Sequence, residues 1–208
     1  MPTDQANKFE QIHKLHEKLA QATTAYWGTY SNLNTWQFWL LLFFIIFPLV
    51  VLYFFIDRKK VFLIGFFGLN IHVWVHYSDA VTATNGFIDY PYKAVPFLSS
   101  SVALDAALIP VSAMLLYQWT LNRNKNYYLY ATAYSFLASF LFKPALVTFN
   151  LMKLYNGMNF FYIFLNYLLV FAISKWITNL FMYLQRKEDY PLENLKINRI
   201  FSIRKKAR

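Results

Sequence analysis

Residues Trp36–Ile56 read WQFWLLLFFIIFPLVVLYFFI, a run of 21 residues without one charged side chain. A helix rises about 1.5 Å per residue, so this run matches a hydrocarbon layer about 30 Å thick. Trp36, Trp39 and Tyr53 stand near its ends, where amphipathic rings sit at a membrane–water interface. Pro48 is a candidate kink, and Asp57-Arg58-Lys59-Lys60 stops the run. The stretch predicts a transmembrane helix.

Four more apolar blocks follow: Val61 to about Thr82, Phe97 to Leu121, Tyr127 to Phe149, and Phe160 to Leu184. Between the second and third lies a polar connector, ATNGFIDYPYKAVP (83–96), with turn chemistry at Asn85-Gly86 and Tyr90-Pro91. The chain is 58% hydrophobic and 21% aromatic but only 14% charged, against about 25% charged in a soluble domain. That balance excludes disorder, collagen and an ordinary soluble enzyme. No strand-like alternation suits an outer-membrane barrel. The expected fold is an all-α, polytopic transmembrane bundle of about five spans. Residues 1–34 form an N-terminal amphipathic or interfacial segment, 35–184 the five-span bundle, and 185–208 a basic cytoplasmic tail. In the first segment Phe9, Ile12, His16, Leu19 and Ala22 recur at helical spacing among Lys8, Glu10, Lys14, Glu17 and Lys18. A short helix lying on the membrane or packed on the spans is expected there. The absence of cysteine excludes disulfides, thiolate metal sites and a Cys nucleophile.

The basic residues orient the bundle. Arg58, Lys59, Lys60, Arg123, Lys125, Arg186, Lys187, Lys196, Arg199, Arg204, Lys205, Lys206 and Arg208 fall on one side. Lys8, Lys14, Lys18, Lys93 and Lys153 fall on the other. The positive-inside rule puts the first set in the cytoplasm of a multi-pass cell-membrane protein, with the N-terminus outside and the C-terminus inside. The lipid bilayer is then the main partner. Anionic lipid at the basic loops is a second, and a homo-oligomer or a membrane partner remains open. The formal net charge of +10 is mostly a topology signal. No nucleic-acid recognition motif accompanies it.

Ionisable groups inside spans are costly and mark candidate sites. His72, His76 and Asp79 are spaced i, i+4, i+7 and share one face of the second span, with Gly65 and Gly68 below them. His72 lies twelve residues past Lys60, about 18 Å up. Asp105 is eight residues below Phe97, about 12 Å from the outer surface and level with His72. Lys143 falls in the outer half as well, whereas Lys175 lies in the cytoplasmic half and is expected to snorkel. Ser99, Ala103 and Ala107 form a small-residue face for close packing. His72, His76, Asp79, Asp105 and Lys143 therefore outline a polar pocket. It supports three readings. It is polar glue between spans. Alternatively, His72, His76 and Asp79, with Asp105 in reach, hold Zn or another divalent metal, as in a membrane-embedded hydrolase or transferase acting on lipid. Or it handles protons or a small ligand, ion or lipid headgroup from outside, as in a proton-coupled transporter. No phosphate loop, nucleophile elbow or HExxH motif selects an enzyme class.

Asp89-Tyr90-Pro91-Tyr92-Lys93, then Asp105 five positions before Pro110, then the basic loop Asn122-Arg123-Asn124-Lys125 form a series. It resembles an uncharacterised family of small multi-spanning membrane proteins of spore-forming Bacillus- and Clostridium-type bacteria. Both acidic positions are Asp here where that family is expected to show Glu. The resemblance covers roughly 61–184 and implies a multi-span topology in a bacterial plasma membrane, with no reaction attached. The connector itself reads as an aromatic-anchored interfacial turn, or as a lid over the pocket.

Overall fold

The computed structural model describes residues 2–96, 98 and 100–187. The tail beyond Lys187, and with it most of the expected 185–208 segment, lies outside the described residues, as does Ser99. The elements are α1 (Thr3–Tyr30), α2 (Trp36–Phe55), α3 (Val61–Thr84), α4 (Ile109–Asn122), α5 (Tyr127–Leu137), α6 (Lys143–Thr148) and α7 (Phe160–Lys187). A π-helical turn, Ala103–Leu108, runs straight into α4, and a second, Ala138–Phe142, joins α5 to α6. The fold is the expected all-α bundle.

Among the described residues four helical runs are long and apolar enough to cross a membrane: Trp36–Phe55, Val61–Thr84, Ala103–Asn122 and Phe160–Gln185. The remaining block, α5 through α6, also runs from one end of the bundle to the other. Its start packs Tyr127 against Tyr117 and Phe171, and its end brings Lys143 to Tyr90. Its tyrosines, serines and Lys143 make it the least apolar of the five. The third span begins at Ala103, six residues later than the apolar run suggested.

Two prolines explain the π turns. Pro110 and Pro144 have no N–H to give the carbonyl four residues back, and their rings crowd it. The chain answers with i→i+5 bonds: Ile109 N–H donates to Leu104 O, and Lys143 N–H to Ala138 O. Each of these proline-coupled π turns carries or abuts a buried ionisable residue, Asp105 in one case and Lys143 in the other.

Helix α3 is central, packing on α4, α7 and the first π turn. Phe67, Ile71 and Val75 are buried there. Ala103 and Ala107 are buried where the first π turn meets α2, as the small-residue face predicted. Gly68 lets α4 approach, since a Cβ on it would run into Sδ and Cγ of Met114. Gly65, expected to share that role, faces open space. Only Leu41 and Pro48 of α2 are buried, leaving a broad face of Phe43, Phe47 and Phe54 outward, as lipid contact requires.

At one end, Asp57 N–H donates to Gln118 Oε1 at 2.7 Å and Lys60 Nζ to Asn122 Oδ1 at 2.5 Å. At the other end the connectors do not remain plain turns. Ile88–Asp89 (β1) pairs antiparallel with Lys153–Leu154 (β2), in register Ile88 with Leu154 and Asp89 with Lys153. Gly86 at φ 70° and Gly157 at φ 77° turn the chain into this ribbon. Helix α1 is long rather than short, and none of its residues is buried. Only its end is held, where Trp27 Nε1–H donates to Lys93 O at 2.8 Å and Lys93 N–H to Ser31 Oγ at 2.9 Å. Along its length it is not packed on the spans.

Candidate functional site

The depth arithmetic sets Asp105 level with His72 and puts all five residues in one half of the membrane, and the structure gathers three of them, Asp79, Asp105 and Lys143, around one cavity. Asp79 is on the last turns of α3, Asp105 in the first π turn and Lys143 at the start of α6. They are only 8%, 2% and 4% exposed. All three line a cavity of about 240 Å³ that α7 closes with Ile163, Asn166 and Tyr167. Ser78, also on its wall, accepts from Asn166 Nδ2 at 3.0 Å.

Both oxygens of Asp79 are used. Tyr90 O–H donates to Oδ1 at 2.6 Å, and Ser101 N–H donates to Oδ2 at 3.2 Å. Tyr90 thus reaches down from the connector into the site, a role that sequence reading gave only to a possible lid. Burial first, then the Asp79 and Asp105 carboxylates, hold its phenol well above the ordinary tyrosine range, so it stays a donor. A buried tyrosine hydroxyl normally finds a partner, and this is the signal that would have marked Tyr90.

Asp105 is satisfied less well. Its Oδ2 is buried and has no hydrogen-bond partner. The nearest basic atom is His76 Nδ1 at 3.8 Å, too long for a hydrogen bond. His76 Nδ1 is also 3.2 Å from Ser100 Oγ. His72 Nδ1 lies 2.7 Å from the backbone oxygen of Asp105, so this imidazole holds the π turn rather than the carboxylate. Lys143 Nζ stands 5.8 Å from the Tyr90 ring centroid and acts on Asp105 across the cavity. A direct Lys143–carboxylate ion pair, the form that polar glue between spans would take here, is not among the salt bridges of the described residues.

The metal trio is not assembled. Among the described residues no three metal-ligating side chains are gathered to hold an ion. His72 and His76 lie side by side, ring centroids 5.9 Å apart, with His72 turned to a carbonyl. Asp79 is committed to Tyr90 and Ser101. The i, i+4, i+7 spacing puts these residues on one face, but each finds a different partner across it. Lys175 also departs from expectation. It turns inward rather than snorkelling, 4.5 Å from the Tyr117 ring and 5.4 Å from that of Tyr127, and donates to Tyr117 Oη at 3.1 Å.

No family model matches the chain, and no curated protein or solved structure shows significant similarity to it.

Proposed function

We propose that this membrane protein binds a small polar ligand, one presenting a cationic or strongly hydrogen-bond-donating group, in the cavity shared by Asp79, Asp105 and Lys143. The observation that carries this reading is Asp105 Oδ2, a buried oxygen beside Asp79 that no donor among the described residues reaches. Such an atom costs about 1–3 kcal/mol or more, and a bound donor removes that penalty. Lys143 supplies a second, opposite pole, and Tyr162 and Tyr167 supply aromatic walls. A cavity of this size suits a molecule of a few heavy atoms rather than a drug-sized one.

The half-exposed His76 beside the buried Asp105 favours one second reading, proton exchange between the outside and that carboxylate. Five crossings, an outer N-terminus and a cytoplasmic C-terminus accompany both readings. They rest on the asymmetry of basic residues and on the end-to-end run of α5 through α6. The resemblance to small multi-spanning proteins of spore-forming bacteria agrees with this and is proposed on the same footing.

The test uses the purified full chain in a neutral detergent, with ethanolamine, glycine and acetate as probes. Ethanolamine should raise the thermal midpoint, acetate should not, and Asp105→Asn should abolish the response. An unmoved midpoint with all three probes, or an unchanged response in D105N, sinks the ligand reading. Because the chain has no cysteine, Asp4→Cys and Lys206→Cys report topology directly. Labelling of both from one side sinks the proposed orientation.

A further inference from the structure

The end of the bundle opposite the ligand cavity carries a second feature. Between α3 and α7 runs an open groove of about 1490 Å³. Its walls are aromatic and aliphatic, with Phe66 and Phe181 meeting at 4.9 Å between ring centroids. Its mouth is cationic, with Arg58, Lys59 and Lys60 of the α2–α3 turn along the rim and no carboxylate among the described residues that line it. Phe62 beside them is 90% exposed, an arrangement that water would not favour.

The three cations are not equivalent. Lys60 is already engaged by Asn122 Oδ1 and lies 3.9 Å from Asp57 Oδ2. Asp57, the turn's one acid, is spent on that contact and on the Lys59 backbone N–H at 3.0 Å. Arg58 donates one N–H to Tyr53 O at 3.2 Å and stacks over the Tyr53 ring, which fixes its direction and leaves most of its fork open. Neither Arg58 nor the Lys59 side chain joins a salt bridge among the described residues. Two cations without an ionic partner among the described residues therefore sit at the end of an apolar trough.

We infer that this groove is a binding site for an anionic phospholipid, with its phosphate between Arg58 and Lys59 and its chains along Phe62, Phe66 and Phe181. Charge complementarity chooses the occupant. A zwitterionic lipid brings its own cation to the rim. Basic pockets between spans at a membrane face are matched to acidic headgroups in this way.

The probes are phosphatidylglycerol, phosphatidylcholine and glycerol 3-phosphate, added to the purified full chain in neutral detergent and read by native mass spectrometry. Two basic residues near a surface favour an acidic headgroup by about 25-fold. Phosphatidylglycerol should be retained over phosphatidylcholine by that order. The double variant Arg58→Gln/Lys59→Gln should bind the two lipids about equally, and glycerol 3-phosphate should not displace the lipid. Equal retention of both lipids by the unmodified chain overturns the inference whatever the variant does. So does a preference that survives in the variant, or displacement by glycerol 3-phosphate at equal concentration, which would make the site a phosphate site without a role for the groove. Because this groove and the ligand cavity lie at opposite ends of the bundle, failure of either proposal leaves the other standing.

Discussion

Two lysines lie inside the apolar blocks, and the molecule treats them in opposite ways. Lys175 rests on aromatic faces. Tyr117 and Tyr127 cup its ammonium, Tyr117 Oη accepts from it, and Phe67 backs the cluster at 4.3 Å from Tyr117. Among the described residues no carboxylate forms a salt bridge with it. Lys143 is more deeply buried, with the Tyr90 ring centroid 5.8 Å from its ammonium and Asp105 on the wall of the same cavity. The first is a charge accommodated by fixed π faces, which need no ionic partner. The second is a charge set across a cavity from Asp105, with room left between. The first arrangement is finished, whereas the second is short of one partner, and that shortage is why the upper cluster, and not the lower one, is the candidate site.

The sharpest way to break this comparison is to remove each ammonium. Lys143→Met takes away a buried ammonium on the cavity that Asp79 and Asp105 share, and stranding buried charge costs about 3–5 kcal/mol. Lys175→Met loses cation–π contacts and one hydrogen bond but strands no charge, a loss of about 1–2 kcal/mol. Denaturant or thermal unfolding in detergent, run on both variants, decides. Equal costs would mean that Lys143 is not electrostatically tied to Asp105 and Asp79. Adding Asp105→Asn to Lys143→Met should recover part of the loss, because the two residues are coupled.

A smaller effect is expected at the connector. Tyr90→Phe leaves Asp79 Oδ1 buried without its donor, and a hydrogen bond to a charged group contributes about 1.5–3 kcal/mol. The same variant tests the electrostatics. Burial first, and then the two carboxylates, raise the Tyr90 phenol far above its ordinary value of 10.0. A group raised in the folded state contributes stability that is present at neutral pH and is lost only as pH climbs through that raised value. Tyr90 should therefore be absent from the phenolate absorbance that develops near pH 10, and Y90F should give the same curve as the parent chain there. A titration short by one tyrosine in Y90F would show that Tyr90 is exposed and that the connector does not seal the site.

Much of this was legible in the residues, for identifiable reasons. The spans follow from uninterrupted apolar length, which the bilayer dictates with little help from tertiary context. The meeting of His72 with Asp105 followed from counting rises along two helices, because depth in a membrane is nearly a one-dimensional coordinate. Direction around the helix axis was less accessible. The π turns before Pro110 and Pro144 insert an extra residue into a turn, which re-aims the side chains of the next turn and defeats a fixed 100° step. That is why Lys143 met a tyrosine ring rather than an ion pair, whereas His72, His76 and Asp79 keep one face of the regular α3 and fail as a metal trio because each takes its own partner, Asp105 O, Ser100 and Tyr90. Tyr90, Ser100 and Ser101 reach the site from a connector, where no periodicity exists to read. The β1–β2 pairing joins segments separated by more than sixty residues, and two-residue strands carry no alternation to detect.

The two glycines of α3 offer the finest test, because they occupy one helix face yet meet different surroundings. A methyl group on Gly68 must displace Met114, whose Sδ and Cγ occupy that space. Overpacking of this kind costs about 1–3 kcal/mol, partly offset by the roughly 0.8–1 kcal/mol that alanine gains over glycine in a helix. Gly65→Ala meets nothing within 4 Å and keeps the helix gain alone. The two substitutions should therefore move the unfolding midpoint in opposite directions, down or nearly unchanged for G68A and up for G65A. Gly68 and Met114 adjoin Phe67 and Tyr117, so the strain falls on the aromatic cup around Lys175 and not on the cavity above. G68A should lower stability while leaving the response to ethanolamine intact. If instead that response is lost, the two regions are not separate. The lysine at the finished end would then be helping to hold open the unfinished one, coupled to it through the α3–α4 contact that Gly68 permits.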